Sequence, residues 1–276
     1  MKKTMKDVIF FLVLAGMAWA LSIGPSLAEK KINLTGSTTV LPIAQKAAEV
    51  YMGKHPEVNI SVAGSGSGDG IKAIIDGTAD IGNSSRDIKE KEIEAAKAKG
   101  ATPVKHIVAF DCIVPVVNPT NPVTNLTLEQ LKNIYDGTVK NWKEVGGDDK
   151  PIAVISRDSS SGTFEVWNHM VLKDAKVRPD AQLQASNGAI AQTVSGNKLA
   201  IGYVGIGYLN DKLKAVKVNG IIASEKTARD KTYPVARELF MFTRGEPKGE
   251  VKDFLDFIKS PEGQKIVESE GFVKIN

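Results

Sequence analysis

Cysteine is all but missing from this chain of 276 residues, where Cys112 stands alone. A single cysteine excludes an internal disulfide framework, and its place far from the N-terminus leaves no thiol there to carry a lipid. Its setting, Phe110-Asp111-Cys112-Ile113-Val114, reads as a small buried hydrophobe rather than a nucleophile. Histidine is scarce too: His55, His106 and His169 are the only three imidazoles, and none is spaced from another ligand type as a metal site requires. His55 precedes Pro56 in a loop, and His169, on a helical stretch, is expected to be partly packed. No Gly-Lys-Ser/Thr tripeptide follows a glycine loop, so a Walker phosphate loop is excluded, and Gly64 to Gly70 lacks dinucleotide-binding spacing. Gly-x-Ser-x-Gly is absent as well. Ser195-Gly196-Asn197-Lys198 matches Ser-x-x-Lys, but it falls between a helix and a strand, where a polar turn is expected. These gaps count against a nucleotide enzyme, a metalloenzyme and a serine hydrolase or phosphatase.

Charge of one sign is lacking too. The formal net charge is +4, of which Lys2, Lys3 and Lys6 against Asp7 supply +2, leaving +2 for the rest. That balance, without a basic tract, is no footprint for nucleic acid. The charged stretch from Asp87 to Lys99 reads as a solvated helix face. Long apolar runs are confined to Val8–Leu21, about 14 residues against the roughly 20 that a membrane span needs. With lysines before it and Ser26-Leu27-Ala28 after it, this run reads as a cleavable secretory signal peptide over residues 1–28. A periplasmic location follows as the expectation.

Beyond the leader, strand and helix patterns alternate. Ile32-Asn33-Leu34 precedes a helical pattern over Leu41–Met52, and Val58-Asn59-Ile60-Ser61-Val62 alternates apolar and polar as a half-buried strand does. A helix opening at Ile71 closes near Gly77, Asp80-Ile81-Gly82 is a short strand, and a helix runs from about Lys89 to Lys99. This order predicts an α/β fold with mainly parallel sheets flanked by helices. His106–Val117 is a long β-branched stretch that ends in the breaker cluster Asn118-Pro119-Thr120-Asn121-Pro122, and Val235–Thr243 mirrors it. The pair reads as two strands crossing between two lobes: 29–112 plus 234–276 as lobe 1, and 113–233 as lobe 2. Further strands are expected at Pro151–Ser156 and Ala200–Gly205. Helices are expected at Thr127–Tyr135, Phe164–Leu172, Val251–Ile258 and Pro261–Ser269.

Three short runs of Ser, Thr and Gly stand between a strand and a helix: Thr35-Gly36-Ser37-Thr38-Thr39, Gly64-Ser65-Gly66-Ser67-Gly68 and Ser159-Ser160-Ser161-Gly162-Thr163. Such turns aim backbone N–H groups and hydroxyls at the space before a helix, where the dipole favours an anion. One run is an ordinary cap; three, with Arg157 beside the last, suggest the walls of one anion cage. An arginine adds a planar fork matched to two oxygens.

These residues carry a resemblance. Thr35-Gly36-Ser37-Thr38-Thr39-Val40, Gly64-Ser65-Gly66-Ser67-Gly68, Ala79-Asp80-Ile81-Gly82-Asn83-Ser84-Ser85-Arg86, Arg157-Asp158-Ser159-Ser160-Ser161-Gly162-Thr163 and Ser260-Pro261-Glu262-Gly263-Gln264 together resemble the periplasmic phosphate-binding proteins of phosphate ABC importers. The resemblance implies a two-lobe, type II periplasmic binding protein that closes on one phosphate, delivers it to inner-membrane permease subunits as a monomer, and uses no cofactor, metal or catalysis. It implies phosphate contacts from Thr38, Thr39, Ser67, Ser85, Arg86, Arg157, Ser161, Gly162 and Thr163. One departure stands out: where well-known members carry a carboxylate that accepts the phosphate proton, this chain has Ser85 followed by Arg86. Asp69, Asp87 and Asp158 are then the candidate acceptors. Arg86 is expected either to reach the ligand or to pair with an interdomain carboxylate. Another tetrahedral oxyanion, sulfate or molybdate, stays open as the ligand.

Overall fold

The computed structural model describes residues 30–276, so the expected leader over 1–28 lies outside the described residues. The chain starts as β1 (Lys30–Gly36), α1 (Leu41–Lys54), β2 (Val58–Gly64), α2 (Ser67–Asp76), β3 (Ile81–Ser84), α3 (Glu90–Ala98) and the long β4 (Val104–Val117). It continues through β5 (Asn125–Leu126), α4 (Leu128–Asp136), β6 (Ala153–Arg157), α5 (Gly162–Trp167), β7 (Gln182–Gln184), α6 (Asn187–Gly196) and β8 (Ala200–Gly205). The short β9 (Lys214–Ala215), β10 (Lys217–Val218) and α7 (Glu225–Arg229) lead into β11 (Ala236–Thr243), α8 (Gly249–Lys259) and α9 (Pro261–Ser269).

Local sequence accounts for most of these elements. In β2, Val58 and Ile60 are buried while Asn59 and Ser61 face out, the period-two pattern of a strand with one wet face. The Thr127 hydroxyl accepts from the Gln130 N–H at 3.0 Å and the Gln130 side chain accepts from the Thr127 N–H at 2.9 Å, a capping box that starts α4. β8 is buried along its whole length, which is why it reads as an unbroken apolar run.

A nine-stranded sheet runs in the order β2-β1-β3-β11-β4-β8-β6-β7, with β9 on β4. β1 pairs in parallel with β2 and β3, and β6 in parallel with β7 and β8, whereas β11 and β4 run antiparallel to their neighbours. β4 carries the sheet from one half to the other: residues up to Cys112 pair with β11, and Ile113–Val117 pair with β8. The apolar core splits accordingly. One cluster gathers β1, α1 and α8 around Ile32, Ile43, Tyr51 and Phe254, and another gathers α4, β6 and β8 around Tyr135, Trp167 and Tyr203. Trp167 stacks on Tyr203 with ring centroids 4.4 Å apart. The result is a two-lobe α/β architecture with helices flanking each half of the sheet.

Three expectations need correction. The helix predicted from Phe164 to Leu172 starts earlier, at Gly162, and after Trp167 it widens into a π turn over Asn168–Leu172. Val171 and Leu172 take the inward positions of that turn, so His169 is exposed, beside Asp174, rather than partly packed. Ser195 belongs to the last turn of α6, where its hydroxyl donates to the Gln192 carbonyl rather than to a base. Cys112 is fully buried, and burial pushes its thiol up to about 12, which leaves no thiolate at neutral pH. Among the described residues no helix is long and apolar enough to cross a membrane, and no group of His, Cys, Asp and Glu could hold a metal ion.

Candidate functional site

The sheet order turns the C-terminal ends of β1, β2, β3, β6 and β8 toward one crevice, the usual position for a ligand in a sheet of this kind. The ends of β1, β2 and β6, and of the neighbouring β7, are each followed by small polar residues at the start of a helix. Ser37 accepts from the Thr39 N–H at 3.1 Å before α1, Gly66 precedes α2, and the Ser161 hydroxyl accepts from the Phe164 N–H at 3.2 Å to cap α5. Ser186 caps α6 in the same way, through the Ala189 N–H at 3.0 Å. Four helix N-termini therefore meet in one place, and their dipoles sum to a positive potential there.

Hydroxyls of the three runs lie together in the fold, with that of Ser85 beside them. Thr39 and Thr163, one from each lobe, lie 2.9 Å apart through their hydroxyl oxygens, and the Ser67 and Ser85 hydroxyls lie 3.2 Å apart. Thr38, Thr39, Ser67, Ser85, Ser161 and Thr163 are all buried. Glycine is required twice by close approach. A Cβ on Gly162 would sit 2.3 Å from the Ser67 hydroxyl oxygen, and one on Gly66, at φ +115°, would sit 2.3 Å from the Ser160 hydroxyl oxygen. The lobes are in contact across this seam, where the Gly68 N–H donates to the Ser160 carbonyl at 3.0 Å and the Ser160 hydroxyl oxygen lies 3.1 Å from the Ser65 carbonyl.

Arg157 sits in the middle of the cluster. Its Nε and one Nη donate to the Gln184 and Ala185 carbonyls at 2.9 Å each, and the other Nη reaches the Thr38 hydroxyl at 3.3 Å. Burial lowers its pKa, partly offset by Asp158, whose carboxylate is 3.5 Å away. The guanidinium, always charged, thus has one half-buried carboxylate at the limit of hydrogen-bond distance and no two-pronged carboxylate pair.

Arg86 is placed differently. Its guanidinium forms a two-pronged pair with Glu92 at 2.7 and 2.8 Å, donates to the Asp87 carbonyl at 2.9 Å, and meets Glu165 of the other lobe at 2.9 Å. Lys89 also pairs with Glu165. Burial alone would lower the Arg86 pKa, but Glu92 and Glu165 hold it above the ordinary value. Of the two settings expected for Arg86, the structure shows the pair with an interdomain carboxylate at the rim.

The three candidate acceptors do not enter the cluster. Asp69 is exposed on α2, and Asp87 is exposed and paired with Lys105. Asp158 is half-buried and organises its own loop, accepting from the Ser160 N–H at 2.9 Å and the Ser160 hydroxyl at 2.6 Å.

Three residues that sequence reasoning passed over complete the site. Arg237, on β11, donates to the Asp111 carboxylate through Nε at 2.8 Å, to the Ser85 carbonyl at 3.1 Å, and to the Thr163 and Thr39 hydroxyls at 3.1 and 3.3 Å. Asp111, on β4, is fully buried; burial pushes its carboxyl up and the Arg237 guanidinium down, and each charge opposes the shift of the other. Its other oxygen accepts from the Ile206 N–H at 2.8 Å, so this carboxylate has no free face toward the hydroxyls. A signal existed: each crossing strand is apolar apart from a few charged residues, and in register Arg237 stands opposite Asp111. Asn187 opens α6, and its amide donates to Thr38 at 3.1 Å and Thr39 at 3.0 Å while its oxygen accepts from the Gly205 N–H at 3.1 Å. Nothing in the local sequence marks it.

The profile of the PBP superfamily domain matches residues 24–262. The phosphate-binding protein PstS of Bacillus subtilis is 34% identical over 254 residues, which is 91% of this chain and 83% of that protein. A substrate-binding protein of Clostridium perfringens, solved with bound phosphate, is 37% identical with a TM-score of 0.83, covering 90% of this chain and 100% of that one. An ABC-type phosphate transport receptor from Vibrio cholerae is 34% identical with a TM-score of 0.73, covering 88% and 99% respectively.

Proposed function

The chain belongs to the PBP superfamily and, within it, to the family of the PstS phosphate-binding proteins, and from that premise we propose that it is the binding component of a phosphate ABC importer. It captures inorganic phosphate in the periplasm and hands it to the permease, with no bond made or broken in the ligand. One observation carries this reading: two buried guanidiniums, Arg157 and Arg237, four helix N-termini and six hydroxyls converge where Asp111 is already spent on Arg237 and the half-buried Asp158 stands 3.5 Å from Arg157 at the edge. Such a site has a surplus of directed donors, which suits a dehydrated dianion.

Each lobe holds part of the cage. In this reading lobe 1, residues 29–112 with 234–276, contributes Thr38, Thr39, Ser67, Ser85 and Arg237, and lobe 2, residues 113–233, contributes Arg157, Ser161, Gly162, Thr163 and Asn187. The anion gains its full set of donors in the closed form alone, so binding shifts the population toward closure. Arg86 acts at the rim as a cross-lobe ion pair rather than on the anion. Ligand-stripped protein titrated calorimetrically with phosphate, sulfate and molybdate tests the assignment. Tightest binding of phosphate is expected; tighter sulfate or molybdate binding, or no heat with phosphate, would sink it.

A further inference from the structure

We infer that Tyr208 is a positioning residue for anion capture: from the turn after β8 its hydroxyl reaches the Thr38 carbonyl of the other lobe and holds the first donor turn of the cage in place. The inference rests on the anion-binding reading above. It starts from a proline. In a regular helix the carbonyl of residue 38 would accept from the N–H of residue 42, and here that residue is Pro42, which has no N–H. The bonds on either side are made, since the Leu41 N–H donates to the Ser37 carbonyl at 3.1 Å and the Ala44 N–H to the Val40 carbonyl at 3.0 Å. Thr38 is buried, so without a further donor its carbonyl would be an orphan acceptor away from water. The Tyr208 hydroxyl is that donor. Burial pushes the phenol up to about 12, so the proton it donates stays on throughout the neutral range. The Thr38 carbonyl and the Thr39 N–H belong to one planar peptide group, so a grip on the oxygen orients the N–H and the two threonines that flank it.

The rest of that turn is tied to the same machinery. The Gly205 N–H donates to the Asn187 oxygen, which leaves the Asn187 amide nitrogen facing the Thr38 and Thr39 hydroxyls. The Ile206 N–H donates to Asp111, the partner of Arg237. Gly207 presses on the chain that follows α9: a Cβ there would sit 2.3 Å from the Phe272 ring and 2.6 Å from the Glu270 carbonyl oxygen. Ile206 and Tyr208 pack against both apolar clusters, the one around Tyr203 and the one around Ile32. Four consecutive residues thus set Asn187, Arg237 and Thr38 together, and they do so while seated on the other lobe.

The test is calorimetric and stopped-flow titration with inorganic phosphate of wild type, Tyr208→Phe, Pro42→Ala, the double variant of these two, and Gly207→Ala, with circular-dichroism melting to confirm that each is folded. Tyr208→Phe removes one oxygen and keeps the ring; it should weaken phosphate by about tenfold, through faster dissociation with little change in association. Pro42→Ala restores an N–H that can donate to the Thr38 carbonyl from within α1. Alone it should bind as wild type, and in the double variant it should bring affinity back to within about threefold of wild type. A tyrosine that only filled space would show no such rescue. Gly207→Ala lifts the turn off Phe272 and should also weaken phosphate by about tenfold. Tyr208→Phe that binds as tightly as wild type, or a loss that Pro42→Ala does not recover, would overturn the inference even with phosphate binding intact in wild type. If Pro42→Ala alone disturbs binding, Gly207→Ala decides, and full affinity there overturns the inference. Wild type that binds sulfate or molybdate in place of phosphate overturns the phosphate reading, and the same variants are then titrated with that anion. Wild type that binds none of the three overturns both.

Discussion

Arg86 and Arg157 are both buried, both stand next to Ser/Thr-rich turns, and both were candidates for the same anion, yet the folded chain treats them in opposite ways. Arg86 meets two carboxylates, Glu92 and Glu165, and its charge is cancelled where the lobes touch. Arg157 is braced by two backbone carbonyls, which orient the guanidinium without neutralising it, and meets one carboxylate, the half-buried Asp158, only at 3.5 Å. Arg237 lies between these cases, tied to Asp111 but still donating to Thr39 and Thr163. What makes a buried arginine available to an anion is the lack of a close, two-pronged carboxylate pair, because a buried charge that is already fully paired gains little from a further counter-ion.

The sharpest way to break this comparison is to remove each arginine in turn. Arg157→Ala should weaken phosphate on the order of a hundredfold or more, since it deletes a buried charged donor from a dehydrated site. Arg86→Ala should cost no more than about tenfold, by loosening the cross-lobe contact rather than the cage. Comparable losses in the two titrations would show that the rim arginine also reads the ligand.

A second variant asks whether the two lobes must meet as tightly as they do. Gly162→Ala puts a methyl 2.3 Å from the Ser67 hydroxyl oxygen, so closure should be obstructed and phosphate affinity should fall about ten- to hundredfold. Small-angle scattering in the presence of phosphate should then report a more open particle than wild type. An unchanged affinity would mean that the seam has room to spare.

The smallest effect belongs to pH. Burial works against the Glu92 carboxylate, but Arg86 and the Lys89 N–H hold its pKa below the ordinary value of 4.5. A lowered carboxylate pKa adds stability that is present above 4.5 and is lost as the pH falls through the folded-state value. Wild type should therefore lose more melting temperature in acid than Glu92→Gln, by about 2–4 °C. Parallel melting curves for the two proteins would show that the Arg86–Glu92 pair adds nothing to folding.

Much of the architecture was legible before any coordinates. The capping box at Thr127, the proline-started helix at Pro261 and the alternation at Val58–Val62 are local signals with local causes, and the structure has each of them. The short strands β5, β7, β9 and β10 were not anticipated, because two or three residues leave no period to detect and their pairing depends on distant partners. The π turn after Trp167 and the outward His169 were missed for a similar reason: packing chose which residues of that stretch turned inward.

For the site, the sequence by itself determined which turns could bear donors: the Ser, Thr and Gly runs at strand ends are set by short-range backbone chemistry. Only the tertiary structure decided how those donors are used. Asp111 and Arg237 are 126 residues apart and Thr38 and Asn187 are 149 apart, so no local pattern links them. Antiparallel register brings the first pair together, and the meeting of the two lobes brings the second. The same long-range contacts spend Arg86 on carboxylates, hold Arg157 on backbone carbonyls and engage every cage hydroxyl except that of Ser85 with an N–H. Hydrogen-bond polarity belongs to the assembled neighbourhood, and that is why the residue identities alone left it open.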